Sequence, residues 1–169
     1  MIVIKYFILF IILISSSIIG KFLSKKYVYR LEELEEMQSA LNIFKTKIRY
    51  TYEPIPDIFS EIAKNSNKNI SNIFKLAKQK MKEKTASISW EESLDETICN
   101  LKKEDINIIK KLSKLLGQTD VEGQISQIEI TEKLLEKQII EAQKEKEKNE
   151  KMYLKLGTVI GLAIVIILA

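Results

Sequence analysis

The sequence LGQTDVEGQ, residues 116–124, decides the fold because it joins two helical patterns through a sharp corner. Gly117 directly follows an apolar helical pattern, and glycine most readily ends a helix because it tolerates positive φ. Thr119–Glu122 then reads as a capping box, in which Thr119 caps the next helix and Glu122 bonds back to it. Gly123 lies in the first turn, where we expect the close approach of a neighbouring backbone. The stretch therefore predicts a tight turn between two antiparallel helices.

Helical patterns continue on both sides of this corner, and the chain has no alternating strand pattern or hairpin signal. An amphipathic helix that ends before Pro54 and Pro56 is predicted from the apolar positions Leu31, Leu34, Met37, Leu41, Phe44 and Ile48. Five further helices are predicted over residues 57–64, 70–81, 90–100, 106–116 and 119–156. A Ser89–Glu92 capping box opens the one at 90–100. We therefore predict an all-α fold, a compact bundle of about six helices.

Both ends of the chain are apolar enough for a membrane. Residues 1–20 contain Lys5 as their one charge, and the apolar run approaches the ~20 residues that a membrane-crossing helix needs. A cleaved signal peptide, with Ser15 and Ser17 near the cleavage site, is the alternative. Residues 156–169 are uncharged but short, so they either cross a thinned bilayer or insert partway. The predicted bundle is therefore flanked by an N-terminal and a C-terminal transmembrane helix.

The distribution of charge indicates how such a chain is oriented. The net charge is +4, yet residues 31–169 carry −1, because every acid lies after residue 30. The surplus bases lie beside the first apolar segment, in a basic juxtamembrane segment at residues 21–30. This pattern favours a membrane surface over nucleic acid. Lysines also fill a polar helical stalk at residues 143–155, so the helical-bundle domain at 31–142 is predicted to lie in the cytoplasm with both termini outward.

The composition excludes most catalytic machinery. The chain has no His and one Cys, so it lacks the commonest general base, an intramolecular disulfide and a cysteine-based zinc site. Asp120 and Glu122 could bind a metal, but acids at a helix start are better explained by the helix dipole. The same explanation is given to the acids at residues 32–36, which are placed in the first turn of the predicted helix. We predict no catalytic, cofactor-binding or metal-binding residues and no enzyme activity.

Two other features allow a functional and a structural interpretation. Trp90 is either an anchor for a partner protein or, as favoured here, a side chain packed in its own domain. Gly157 and Gly161 have the GxxxG spacing that lets transmembrane helices pack closely, although incidental glycines give the same spacing. A rival to a compact platform is a coiled-coil tether or signalling adaptor that dimerises through Val121–Ala142 and these two glycines.

Two motifs resemble those of a known family. The corner at 116–124 resembles the LGxxDxEGQ signature of the stage III sporulation protein AB family, and residues 149–157, NEKMYLKLG, resemble its tail. The N-terminal anchor, the proline break and Trp90 are also similar, so that the resemblance covers essentially the whole chain. One departure is Thr119, where the family has serine. The candidate site is the corner, either partner-binding or purely structural: Leu116, Gly117, Thr119, Asp120, Glu122, Gly123 and Gln124.

The resemblance implies a function. Family members act in the mother cell of endospore-forming bacteria during engulfment, in a secretion-like assembly that links mother cell and forespore. Their soluble domain is similar to the cytoplasmic domains of platform proteins in type II secretion and type IV pilus systems, which contact a hexameric ATPase. The resemblance therefore implies a non-enzymatic platform in the mother-cell membrane facing the forespore. Its expected partners are other stage III sporulation proteins, in particular the ATPase stage III sporulation protein AA, with self-association left open.

Overall fold

The computed structural model describes residues 2–168, with side chains from Phe7 onward. Met1, Ala169 and the side chain of Lys5 lie outside the described part. Within it the chain forms helices and no strand: α1 (Ile2–Tyr50), α2 (Ile55–Asn65), α3 (Lys68–Lys80), α4 (Ala86–Glu96), α5 (Lys103–Lys110), a 3₁₀ turn (Lys111–Lys114) and α6 (Val121–Leu168). The all-α prediction is confirmed.

The first helix is longer than any segment predicted from the sequence. The N-terminal apolar run, the basic segment and the first amphipathic pattern form one helix of 49 residues, and the C-terminal apolar segment is likewise the end of α6. The acids at residues 32–36 are therefore not in a first turn, and their predicted role at a helix start is wrong. No glycine or proline lies between Lys21 and Tyr50, so nothing in the sequence ends α1 there.

The chain divides into two compact units. The helical unit comprises Arg30–Ile140, and the other unit contains α1 up to Tyr29 and α6 from Glu141. In the helical unit, every apolar position predicted for the inward face of α1 is buried. Four aromatic rings form the centre of the core, with centroids 5.0–5.4 Å apart in each contacting pair: Phe44, Phe59, Phe74 and Trp90.

The start of α4 differs from the prediction. The helix begins at Ala86, and its N-cap is Thr85, whose side chain accepts a hydrogen bond from the backbone N–H of Ile88. Ser89 lies one turn inside the helix, is fully buried, and its hydroxyl has no hydrogen-bond partner among the described residues. The Ser89–Glu92 capping box is therefore wrong, because Thr85 offers an equally good cap four residues earlier.

Candidate functional site

The predicted corner is a glycine turn followed by a capped helix. Gly117 has a φ of +70°, in the left-handed region that favours glycine. A Cβ atom at this position would lie 3.4 Å from Ala86 Cβ and 3.6 Å from Ile55 Cδ1. The neighbouring Leu116 is 2% exposed and holds the corner to the core. Gly117 is thus required by backbone conformation more than by lack of space.

Asp120, and not Thr119, caps α6. The helix begins at Val121, and Asp120 Oδ1 accepts a hydrogen bond from the Gly123 N–H at 2.9 Å. Thr119 instead donates its hydroxyl to the Leu115 carbonyl at 3.3 Å, so the predicted Thr119–Glu122 capping box is wrong. Asp120 is the N-cap residue, and Thr119 is not, because the cap residue must directly precede the first helical residue.

The need for glycine at position 123 has a local cause, which differs from the predicted approach of a neighbouring backbone. A Cβ atom there would lie 2.9 Å from Thr119 Oγ1 and 3.0 Å from Asp120 Oδ1. The close approach therefore comes from the side chains of Thr119 and Asp120, and not from a neighbouring backbone. Gln124 completes the corner by donating its amide to the Thr119 carbonyl at 3.1 Å. Hydrogen bonds from the Gly123 N–H to Asp120 and from Gln124 to the Thr119 carbonyl thus close the turn around Gly123.

Most side chains of the corner are therefore used within the corner itself. Within residues 116–124, two side chains are exposed and make no hydrogen bond or ion pair with the described residues 2–168, those of Gln118 and Glu122. Asp120 is committed to its cap, and no group of acids, Cys or His in the described part is arranged to hold a metal ion. The geometry thus favours a structural corner that presents two polar side chains.

Gly117 gives the corner a direct test. We expect Gly117→Val to lower the free energy of unfolding by about 1–2 kcal/mol, because a β-branched L-residue is strained at positive φ. Gly117→Asn should retain most of the stability, since asparagine tolerates this region. The measurement is the melting temperature of the full chain in detergent micelles by circular dichroism. Gln118→Val is the matched control, and an equal effect of both valines would contradict the backbone explanation.

Trp90 lies in the core of the helical unit. Its side chain is fully buried, and its indole N–H donates to the Ile109 carbonyl at 3.1 Å. The rings of Phe59 and Phe74 flank it. The interpretation of Trp90 as an anchor for a partner is therefore corrected, because no part of the side chain reaches the surface.

A buried ion pair is the main feature that the sequence analysis missed. Arg30 makes a two-point contact with Asp105, with Nε and one terminal nitrogen 2.9 and 3.0 Å from the two carboxylate oxygens. Both side chains are at most 3% exposed, and Arg30 also donates to Gln138. Asp105 additionally accepts from the Lys102 N–H at the start of α5. The pair links α1, α5 and α6, so Arg30 is not a free charge of the predicted basic segment.

Glu33 forms a second polar junction one turn further along α1. The residue is 3% exposed, and its carboxylate accepts hydrogen bonds from the side-chain amide of Asn69 and from both the backbone and side chain of Asn100. The signal for both junctions was present in the sequence. Arg30 and Glu33 lie in phase with the buried positions Leu34 and Met37, where a charge requires a buried partner.

In the unit formed by the two apolar ends, α1 and α6 pack as antiparallel helices. A Cβ atom on Gly157 would lie 2.8 Å from the Ser16 carbonyl oxygen, and one on Gly161 would lie 3.1 Å from Ser16 Cβ. Gly20 faces the Tyr153 carbonyl, and the Ser16 hydroxyl donates to the Gly157 carbonyl at 2.7 Å. The glycine pair therefore packs against the same chain's own helix, as close-packed membrane helices do.

The outer surface of this unit suits a lipid environment. Both long helices have the length and composition to cross a membrane, and their most apolar windows are only 17% and 11% buried. In water such an exposed apolar surface would drive association. Lys25 lies 5.7 Å from the Phe22 ring centroid and Lys26 lies 4.9 Å from that of Tyr27. Aromatic rings with adjacent lysines are typical of a membrane–water interface.

Cys99 is the one thiol of the chain. Its side chain is half-buried, and burial raises the pKa of the thiol above its ordinary value. A raised pKa lowers the thiolate fraction at neutral pH, and the chain has no His to activate the sulfur. Cys99 therefore has the environment of a structural side chain.

The chain is similar to known proteins over nearly its full length. The profile of stage III sporulation protein AB matches residues 5–169, which is nearly the full length. The chain belongs to the stage III sporulation protein AB family. Membership in this family supports a role in sporulation and fits a structural component. The family resemblance drawn from the corner and tail motifs is confirmed.

Stage III sporulation protein AB from Bacillus subtilis (strain 168) is 26% identical over 161 residues, covering 93% of this chain and 94% of the relative. A solved structure of stage III sporulation protein AB superposes with a TM-score of 0.64 at 24% identity, covering 70% of this chain and 96% of the solved one. At that identity the structural likeness supports the fold alone.

Proposed function

We propose that the chain is a non-enzymatic platform in the mother-cell membrane, facing the forespore, within a secretion-like sporulation assembly. Its helical unit lies in the cytoplasm and docks a cytoplasmic ATPase, with stage III sporulation protein AA as the expected partner. The five-segment division predicted from the sequence, from the anchor at 1–20 to the membrane segment at 156–169, is retained in this proposal.

The observation that carries the proposal is the pairing of the two apolar ends. They lie next to each other in one unit and run antiparallel, so Tyr29 and Glu141, where the two helical segments end, lie on the same side of that unit. If both segments cross the membrane, the residues between them lie in one compartment and the two termini lie in the other. The lysines at 21–26 and 144–155 favour the cytoplasm for that compartment. Anchoring at both ends would hold the helical unit at the membrane surface while an ATPase acts on it.

The rival tether receives less support. A coiled coil through Val121–Ala142 needs a free apolar seam on α6, yet Ile125, Ile128 and Leu135 are at most 2% exposed within their own unit. Glu132, in the same stretch of α6, pairs with Lys45 of α1. Gly157 and Gly161 are also covered by α1. Both faces that the tether would use are occupied by the same chain.

Topology provides the first test. In a Cys99→Ser background, we expect Lys148→Cys to react with a membrane-impermeant maleimide only after the membrane is opened, because Lys148 is exposed and lies on the predicted cytoplasmic side. Leu168→Cys, at the predicted outward end, is the matched control and should be labelled in intact cells. Labelling of Lys148→Cys in intact cells would place the helical unit outside and rule out a cytoplasmic ATPase as its partner.

Direct contact is the second half of that test. The full chain in nanodiscs should bind the purified stage III sporulation protein AA from the same bacterium, measured by sedimentation with empty nanodiscs as the control. A correct topology without this binding would retain the membrane platform and remove its proposed partner.

A further inference from the structure

The helical unit carries a groove beside α3 that no contact described so far explains. It has a volume of about 580 Å³ and lies between the exposed face of α3 and the chain that follows α4. Its principal side chains are Lys68, Asn72, Lys75 and Gln79 from α3, with Thr97 and Ile98 from the other wall. Leu76 is a further apolar side chain in its lining.

Ile98 is the most unusual side chain of this groove. It is 92% exposed, which exceeds the 81% of Ile167, the next most exposed large apolar side chain of residues 7–168. A single exposed apolar residue is ordinary. Here, however, it lies beside a groove and two lysines, and an apolar side chain at the edge of a groove with a charged rim is typical of an interaction site.

The groove is also positively charged. Residues 62–82 contain six lysines and no acid. Lys78 bonds to the Ser60 hydroxyl, and Lys80 pairs with Glu92 and Glu96, so these two are satisfied within the unit. Lys68 and Lys75 have no carboxylate within ion-pair distance in the described part of the chain. They lie seven residues apart on α3, two turns or about 10 Å along one face.

We propose that this groove binds an acidic amphipathic helix of a partner protein. Acids seven residues apart on that helix would match the spacing of Lys68 and Lys75. An apolar side chain between them would cover Ile98 and Leu76, which removes their exposed surface from water. The amides of Asn72 and Gln79 can donate to the same carboxylates. The proposal does not depend on which protein supplies the helix, and therefore goes beyond the proposed function.

Other ligands fit the groove less well. A lipid surface is recognised by dense clusters of four to eight bases, whereas this groove has two unpaired lysines and a carboxylate, Glu96, at its edge. Single-stranded nucleic acid is held by aromatic stacking platforms, and none of the described residues that line this groove is aromatic. A helix that offers both carboxylates and an apolar side chain matches both properties of the groove.

The test places the photoreactive residue p-benzoylphenylalanine at Ile98 of the full chain, in the sporulating bacterium that encodes it. We expect a crosslink to a protein, with the linked peptide, sequenced by mass spectrometry, carrying Asp or Glu at seven-residue spacing. Lys75→Glu should lower the yield of this adduct about tenfold, because it removes one attraction and adds a repulsion. Lys82→Glu is the matched control: it makes the same charge change at an exposed lysine outside the groove, and the yield should stay within about twofold.

Four outcomes would overturn the proposal. They are the absence of a protein adduct, an adduct with lipid alone, equal losses from Lys75→Glu and Lys82→Glu, or a crosslink to a second copy of this chain. A charge-dependent adduct with a protein other than the ATPase would support this inference and leave the proposed ATPase contact without support. The two proposals can therefore fail separately. Circular dichroism of each variant confirms that these exposed substitutions leave the fold intact.

Discussion

Asp105→Ala is expected to lower the free energy of unfolding by about 3–5 kcal/mol. The substitution leaves the Arg30 guanidinium buried without its carboxylate, and the backbone N–H of Lys102 loses its acceptor at the start of α5. A buried charge without its counter-ion costs far more than the intact pair contributes. The measurement is chemical unfolding of the full chain in detergent micelles, followed by the fluorescence of Trp90, the one tryptophan of the chain.

An exposed ion pair provides the control. Asp95 pairs with Lys110 on the surface, with the Asp95 side chain 62% exposed, so Asp95→Ala should change the stability by less than about 1 kcal/mol. The double variant Arg30→Met with Asp105→Leu should recover much of the loss, because it removes both buried charges. If Asp105→Ala and Asp95→Ala had the same effect, burial would not be the reason for the importance of Asp105.

Trp90→Ala is expected to cost about 3–5 kcal/mol, with loss of the cooperative unfolding transition if the helical unit is marginally stable. The indole fills the space between Phe59 and Phe74, and its N–H satisfies the Ile109 carbonyl. Alanine therefore leaves a large cavity and removes one buried hydrogen bond to the Ile109 carbonyl. Circular dichroism during chemical unfolding measures the change, since this variant has no tryptophan fluorescence.

Two comparisons separate packing from surface effects. Trp90→Phe should cost less than Trp90→Ala, because a phenyl ring retains part of the aromatic contact and loses only the hydrogen bond and some volume. Ile98→Ala, at an almost fully exposed position, should leave stability unchanged within about 0.5 kcal/mol. A stable, cooperatively folded Trp90→Ala protein would mean that the aromatic cluster is not the centre of the core.

Apolar periodicity predicted much of the helical unit. All six apolar positions predicted for the inward face of α1 are buried, because a buried stripe leaves a direct signal in the sequence. Ala40, Arg30 and Glu33 are buried on the same helix but were not part of that prediction. On α3, the residues Ile70, Ile73, Phe74 and Ala77 are buried as their spacing predicts, whereas Met81, predicted for the same face, lies at the C-cap and is only partly buried. The continuity of α1 was not predicted. A change from apolar to basic composition near residue 21 was treated as a segment boundary, yet composition alone does not end a helix.

The candidate site was predicted in outline and missed in detail. The glycine turn at Gly117 follows from residue type, but the choice between Thr119 and Asp120 as cap depends on the first helical residue, and sequence patterns locate such boundaries only within a few residues. The contact between Arg30 and Asp105 joins residues 75 positions apart. A single sequence shows that a charge lies in phase with a buried stripe, but it does not identify the distant residue that neutralises it.

The pairing of the first and last helices also has a consequence for biosynthesis. Ser16 and Gly157, which touch in the folded chain, are separated by 141 positions along it. The N-terminal apolar segment leaves the ribosome long before α6 exists, so its glycine and serine face has no partner while α2 to α5 are being made. The helical unit must also wait, because α6 supplies Ile125, Ile128 and Leu135 to its core. Neither unit can therefore be completed before the final helix has been synthesised. Until then, the nascent chain exposes the apolar surfaces that α6 later covers, and these surfaces are accessible to chaperones.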